Sequence, residues 1–147
     1  MNDVTEVGRP GARPGARKWL LASFLAYALC LALAPISIHS GHEVEPWGNG
    51  LVIVLIGWMG LHTYPEWLAN PLLWSAWLLI GLRSSKAGTV CAGAALALAL
   101  CFLMRDRIMA DESGHFSPIA SWDAGYWLWA ASMALACIVG LQKMRHE

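Results

Sequence analysis

Long apolar runs separated by short polar segments dominate the chain. Three of these runs, residues 19–38, 87–104 and 124–141, contain no charged side chain. A helix needs about 20 apolar residues to cross the roughly 30 Å of hydrocarbon in a bilayer. Each of the three runs is therefore long enough, or nearly so, to form a transmembrane helix.

The segment 46–82 allows two interpretations. Apolar residues fill 51–61 and 72–82, but a polar stretch that contains His62, Glu66 and Asn70 separates them. Either half alone makes roughly 16 Å of helix, about half of a bilayer. In one interpretation both halves extend into full crossings, which gives five spans. In the other, only the second half crosses, starting near Tyr64, and residues 48–62 form a re-entrant or interfacial segment.

The positions of the basic residues favour four spans. Lys and Arg near the ends of spans favour the cytoplasmic side of a membrane. Four spans with both termini inside leave only Arg105 and Arg107 outside, whereas five spans divide the basic residues more evenly. We therefore predict an all-α integral membrane protein with four transmembrane helices and a re-entrant or interfacial segment near 48–62. Residues 1–18 are predicted to be a flexible basic cytoplasmic tail, 19–141 a single transmembrane helical domain, and 142–147 a short cytoplasmic tail.

The composition agrees with a membrane protein. Apolar residues make up 57% of the chain and charged residues 14%, against about 25% charged in an average soluble domain. The chain has 9 tryptophans, and several lie at the ends of apolar runs, where Trp favours the boundary between membrane and water. The 10 basic and 10 acidic residues cancel, so there is no basic surface of the kind that nucleic acid requires. We expect the partners to be membrane lipid, and another membrane protein or a second copy of this chain.

Histidine and acidic side chains gather on the predicted outer side and form a candidate metal site. The candidate ligands are His39, His42, Glu43, His62 and Glu66. Imidazole and carboxylate groups suit Zn²⁺ and similar ions. His62 and Glu66 are also four residues apart, so they share one face if that stretch is helical. The spacing matches no zinc-protease signature, and solvated loops at a membrane surface are the competing interpretation.

Aromatic residues around the break in segment 46–82 form a second candidate site. This possible recognition face comprises Trp58, Tyr64, Trp67, Asn70, Trp74 and Trp77. A cluster of this kind at the outer leaflet can hold a lipid or a peptide, or it can anchor the protein at a fixed depth. The amphipathic character of Trp and Tyr favours anchoring.

Two stretches carry a resemblance to other proteins. Residues 66–74 read Glu-Trp-Leu-Ala-Asn-Pro-Leu-Leu-Trp, and residues 125–133 read Gly-Tyr-Trp-Leu-Trp-Ala-Ala-Ser-Met. They resemble a WLANP stretch that opens a middle helix and a GYYLWL stretch that opens the last helix of small uncharacterised bacterial polytopic inner-membrane proteins. Trp127 stands where the second pattern has Tyr. The resemblance covers mainly residues 47–82 and 122–141. It implies a multi-pass protein of the bacterial inner (cytoplasmic) membrane, and it implies no catalytic residue.

Catalytic patterns are missing from the sequence itself. The three clear spans contain no charge, there is no GxSxG nucleophile elbow, and the four cysteines have no CxxC spacing. We therefore expect no catalytic residue and no cofactor. The leading hypothesis is a non-enzymatic accessory, interaction or immunity protein of the inner membrane. One alternative is a small-ligand or metal-binding membrane protein that uses the outer His and acidic loops. A second alternative is a membrane enzyme that acts on lipid.

Overall fold

A computed structural model describes residues 14–110 and 113–145, and most of them are helical. The α-helices are α1 (Pro14–Ala32), α2 (Gly50–Ile56), α3 (Ala69–Gly81), α4 (Ser85–Phe102) and α5 (Ala124–Met144). Two 3-10 turns, Gly57–Gly60 and Pro65–Leu68, lie between α2 and α3. Most of the predicted amino-terminal tail, residues 1–13, lies outside the described residues, as do residues 146 and 147. Helix α1 begins within the predicted tail 1–18, and α5 continues beyond residue 141.

Two helices, α4 and α5, are long and apolar enough to cross a membrane. A third candidate is the pair Gly50–Gly60 and Pro65–Gly81, which together form one chain segment bent by 117° at the break between them. The bend falls at residues 61–64, where Tyr64 has a non-helical backbone (φ −126°, ψ 70°) and Pro65 begins the next turn. Pro is well suited to a first helical position, because it lacks the N–H that would be unpaired there. The two halves of segment 46–82 are therefore separate helices that point in different directions.

The long helices run alternately up and down, so their ends meet in two groups. The N–H of Gly125, at the start of α5, donates to the carbonyl of Ala34 just beyond α1 (3.1 Å). At the opposite end, the Lys143 ammonium near the end of α5 donates to the Ile80 carbonyl near the end of α3 (2.9 Å). Gly88 near the start of α4 lies against Ile80 as well. The starts of α3 and α5 and the ends of α1 and α4 therefore share one end of the bundle.

Small residues let the helices approach closely. Ala76 of α3, Ala92 and Ala95 of α4 and Ala136 of α5 are fully buried. A Cβ added to Gly88 would lie 2.6 Å from Cγ1 of Ile80 and within 3.2 Å of a carbonyl oxygen of α3. Small side chains at such contacts are typical of helix interfaces inside membranes.

A four-stranded antiparallel sheet corrects the all-α prediction. Its strands are β1 (Ile36–Ser40), β2 (Glu43–Pro46), β3 (Arg107–Met109) and β4 (Phe116–Trp122), in the order β2-β1-β4-β3. The predicted helical span 19–38 is accordingly wrong at its end, because α1 stops at Ala32 and residues 36–38 belong to β1. Pro35 explains the stop: it has no N–H to continue the helical hydrogen bonds, and it disfavours helical backbone at the residue before it.

The sheet covers one end of the helix bundle, which we call the sheet end. Ile36 and Ile108 are buried beneath it, at 0% and 3% exposure. Asp123, which precedes α5, accepts hydrogen bonds from the hydroxyls of Ser37 (2.6 Å) and Ser121 (2.8 Å), so it joins β1 and β4 to the helix. We call the opposite end the basic end. Its basic residues are Arg17, Lys18, Arg83, Lys86, Lys143 and Arg145.

Candidate functional site

An apolar cavity of about 250 Å³ lies at the sheet end, between α2 and the long helices. Its lining includes Cys30, Ile36, Trp47, Ile53, Val54, Tyr64, Trp67, Asn70, Phe102, Ile108, Tyr126 and Trp129. For comparison, an apolar cavity of about 150 Å³ is large enough to bind benzene. The cavity is only partly enclosed, so a molecule inside it can extend beyond the protein.

Helix α2 forms one wall of the cavity and exposes its other side. Asn49 begins the helix, because its side-chain oxygen accepts a hydrogen bond from the N–H of Val52 (2.9 Å). Ile53 and Val54 are half-buried and line the cavity. The outer side of α2 and the following turn is exposed and wholly apolar, and it consists of Leu51, Leu55, Trp58 and Met59. A continuous apolar surface of this kind indicates contact with a membrane or with another protein.

Two glycines fix the ends of this wall. Gly50 lies so close to the end of α1 that an added Cβ would overlap the Cys30 carbonyl, and its N–H donates to the Leu33 carbonyl (3.0 Å). Gly57 lies against the indole of Trp67 in the same way, and the indole N–H donates to the Val54 carbonyl (3.2 Å). Since α2 is held at both ends, the space between it and the bundle stays open.

Asn70 forms the opposite wall, where it joins three helices. Its side-chain oxygen accepts hydrogen bonds from the Trp129 indole of α5 (2.9 Å) and the Tyr27 hydroxyl of α1 (3.3 Å). Its amide nitrogen donates to the Trp67 carbonyl (3.1 Å). Asn70 is 3% exposed, and such a buried amide is costly unless its groups are paired. The stretches 66–74 and 125–133 therefore meet at this wall of the cavity.

A charged pair joins the cavity wall to the sheet through Glu66, which lines the cavity. Glu66 is 8% exposed, and its two oxygens accept from Nε and Nη2 of Arg105 at 2.8 and 3.1 Å. The guanidinium also donates to the Thr63 carbonyl (2.7 Å) and lies 5.0 Å from the centre of the Tyr64 ring. The Tyr64 hydroxyl in turn accepts from the N–H of Met109 in β3 (2.7 Å). This network ties the start of α3 to the sheet and neutralises Glu66.

The structure does not bring the five predicted metal ligands together. His39, His42 and Glu43 are exposed on the β1–β2 hairpin, and His62 is exposed in the turn before α3. Glu66 is paired with Arg105 instead. Within residues 14–110 and 113–145, no group of three or more His, Cys, Asp or Glu side chains could hold a metal ion.

The predicted aromatic face divides into three parts. Tyr64, Trp67 and Asn70 line the cavity. Trp74 and Trp77 pack edge-on against Tyr27 of α1, with ring centres 6.4 and 5.3 Å away. Trp58 is 57% exposed on the outer side of α2. Half of the predicted residues thus belong to the cavity, and the others join α3 to α1 or face outward.

Several residues that line the cavity or contact its wall were not predicted from the sequence. Tyr126 and Trp129 lie three residues apart on one face of α5, and this spacing together with the resemblance was an available signal. Arg105 was one of two basic residues expected outside, on the same side as Glu66, so their pairing was also detectable. Trp47 gave no comparable signal, because its place depends on the sheet. No protein-family model matches the chain, and no curated protein or solved structure matches it either.

Proposed function

We propose that this protein is a multi-pass membrane protein that binds the apolar chain of an amphiphilic molecule in the cavity beneath α2. The observation that carries the proposal is the cavity itself, about 250 Å³ with mainly apolar walls. The apolar side chains that line an empty cavity lack packing partners on that side, and this loss of contact is destabilising. A hydrocarbon chain in the cavity restores the lost contacts and offsets that cost.

The arrangement of charge supports a fixed orientation in the membrane. The six basic residues of the basic end face the opposite direction from the described carboxylates. Those carboxylates, Glu43, Glu45, Glu66, Asp106 and Asp123, all lie at the sheet end. Because Lys and Arg favour the cytoplasmic side, the basic end is cytoplasmic and the sheet end is outside. Under this proposal α1, α4 and α5 cross, α3 crosses together with the preceding turn Pro65–Leu68, both termini are cytoplasmic, and the membrane is the bacterial inner membrane.

The position of α2 supports a re-entrant or interfacial segment. Gly50 begins beside Leu33 at the sheet end, and Tyr64 returns to the sheet end beside Met109. The seven residues of α2 make roughly 10 Å of helix, far short of a crossing. Its exposed apolar side would then rest in the outer leaflet, where a lipid-like chain can pass from the bilayer into the cavity.

A binding role is compatible with the hypothesis of an accessory, interaction or immunity protein, which stays a prediction. The cavity walls favour a small apolar ligand. Their polar groups include the Glu66 carboxylate and the Asn70 side-chain amide, and both already form hydrogen bonds within the protein.

Filling the cavity tests the proposal. Cys30 is 5% exposed and lines the cavity, so Cys30→Phe places a ring in the space that the ligand needs. Cys101 is exposed on α4 and does not line the cavity, so Cys101→Phe is the matched control. Each protein is reconstituted in lipid nanodiscs with a photoactivatable alkyl probe, and the labelled peptides are mapped after irradiation.

We expect the unaltered protein and Cys101→Phe to be labelled on α2 and on the first turns of α5. Cys30→Phe should lose most of this labelling, and its melting temperature should stay within a few degrees of that of Cys101→Phe. Equal labelling of the two variants at these positions, with both folded, would overturn the proposal. If Cys30→Phe does not fold, the smaller change Cys30→Leu is measured in the same way.

A further inference from the structure

A second groove adjoins the cavity and differs from it in chemistry. The groove lies between the sheet and α2, is open to its surroundings, and has a volume of about 460 Å³. It shares Trp47, Ile53 and Ile56 with the cavity, so the two spaces lie on either side of the same residues. The groove is lined by Ser40, Glu45 and Ser117 as well as by apolar side chains, whereas the surface of the cavity is almost entirely apolar. An apolar space and a polar space side by side match the two parts of an amphiphile.

The charge of the groove is negative. Among the described residues that line it, Glu45 is the only charged one. The sheet end as a whole carries more carboxylates than guanidiniums, and one of the guanidiniums, Arg105, is already paired with Glu66. A cation in the groove therefore meets favourable charge, whereas an anion is repelled.

Trp47 adds a second reason for a cation. Trp47 borders both spaces, so it lies where the chain of an amphiphile would join its head group. The face of an indole attracts a positive charge, and aromatic side chains are commonly used to bind quaternary ammonium groups. Glu45 and Trp47 are two residues apart at the edge of the sheet, so both can contact one head group.

We propose that the ligand is a single-chain cationic amphiphile, with its hydrocarbon chain in the cavity and its ammonium head group in the groove beside Glu45 and Trp47. This inference rests on the proposed function, because it requires the cavity to bind the chain. It adds the charge of the head group and the residues that select it.

Three probes of one chain length test the selectivity: an alkyltrimethylammonium ion, the alkyl alcohol and the alkyl sulfate. Their dissociation constants are measured with the full-length protein in neutral nanodiscs, below the concentration at which the probes form micelles. The variant is Glu45→Gln. The matched control is Glu43→Gln, which removes the same charge from the same exposed strand but does not line the groove.

We expect the unaltered protein to bind the ammonium probe more tightly than the alcohol, and the alcohol more tightly than the sulfate. Glu45→Gln should weaken ammonium binding by roughly two- to fivefold, the range for an exposed ion pair, and should leave alcohol binding unchanged. Glu43→Gln should leave both unchanged.

Two results would overturn the inference and leave the cavity proposal standing. One is equal affinity of the unaltered protein for the three probes. The other is an equal loss of affinity for the ammonium probe in Glu43→Gln and Glu45→Gln. That result would show that the overall negative charge of the surface attracts the probe, and not a specific site at Glu45. If none of the probes binds, including the alcohol, both proposals fail together.

Discussion

Removing the side chain of Asn70 tests whether its hydrogen bonds hold the bundle together at the cavity. In Asn70→Ala the Trp129 indole N–H loses its acceptor at 2.9 Å, and the Trp67 carbonyl loses a donor at 3.1 Å. A buried donor left unpaired costs about 1–3 kcal/mol, whereas hydrogen bonds between membrane helices average about 0.6 kcal/mol. The 3.3 Å contact with the Tyr27 hydroxyl is long, and that hydroxyl can rotate, so it adds little. We expect a loss of about 2 kcal/mol in unfolding free energy, roughly a 30-fold change in the unfolding equilibrium constant.

The measurement is equilibrium unfolding in mixed micelles, combined with a double-mutant cycle. Trp129→Phe removes the indole N–H but keeps an aromatic ring, so it should cost less in the Asn70→Ala background than in the unaltered protein. We expect a coupling energy of about 1 kcal/mol. Asn49→Ala, which removes an exposed cap of α2, should show no coupling to Trp129→Phe. A loss below about 0.5 kcal/mol for Asn70→Ala, or strictly additive effects, would refute the role given to Asn70.

Three further predictions concern helix contact, the charged pair and orientation. Gly88→Ala should cost about 1–3 kcal/mol, because its Cβ would overlap the Ile80 side chain of α3 and lie tightly against the α3 backbone. Gly93→Ala, with nothing within 4 Å, should be neutral or up to about 1 kcal/mol more stable. Equal effects of the two substitutions in thermal unfolding would contradict the close approach of α4 to α3. Arg105→Ala should destabilise the fold by about 1–3 kcal/mol, because it leaves the Glu66 carboxylate buried without its charged partner. Adding Glu66→Gln should recover part of this stability, because it replaces that carboxylate by a neutral amide. If the double variant is no more stable than Arg105→Ala, the ion pair does not explain the loss. Ser84→Cys, in a protein without the native cysteines, should react with a membrane-impermeant thiol reagent only after the membrane is opened, and labelling of intact cells would reverse the proposed orientation.

The helices were easier to predict than the sheet. The uncharged runs that form α4 and α5 could be predicted as helices from their length and apolar composition alone, without knowledge of any distant partner. Strand β1 had no such signal, since Ile36 and Ile38 continue the apolar run that precedes them. Its pairing with β4 places Ile36 opposite Trp122, far away in the sequence. A pairing over that distance depends on the tertiary fold, so local periodicity did not reveal it.

The candidate site shows the same division between local and distant signals. The stretches around Asn70 and Trp129 stood out in the sequence, and both line the cavity. The cavity itself could not be predicted, because it depends on two close backbone contacts made by Gly50 and Gly57. A glycine in a sequence does not reveal which distant group approaches it. The predicted metal ligands failed to converge for a related reason: Glu66 had a nearer charged partner in Arg105.

The open space beneath α2 is easier to understand in a bilayer than in water. In water, the exposed side chains of Leu55, Trp58 and Met59 would gain by moving inward, at about 25 cal/mol per Å² of apolar surface removed from the solvent. That force would pull α2 onto the bundle and close the cavity. In lipid the force is absent, because the surroundings are as apolar as the core, and packing and hydrogen bonds determine where a segment lies. The close contacts of Gly50 and Gly57 then fix the two ends of α2, and a hydrocarbon chain is the occupant that we propose for the space between α2 and the bundle. Binding of the proposed ligand should therefore be measured in a bilayer, since a detergent chain can occupy the same space.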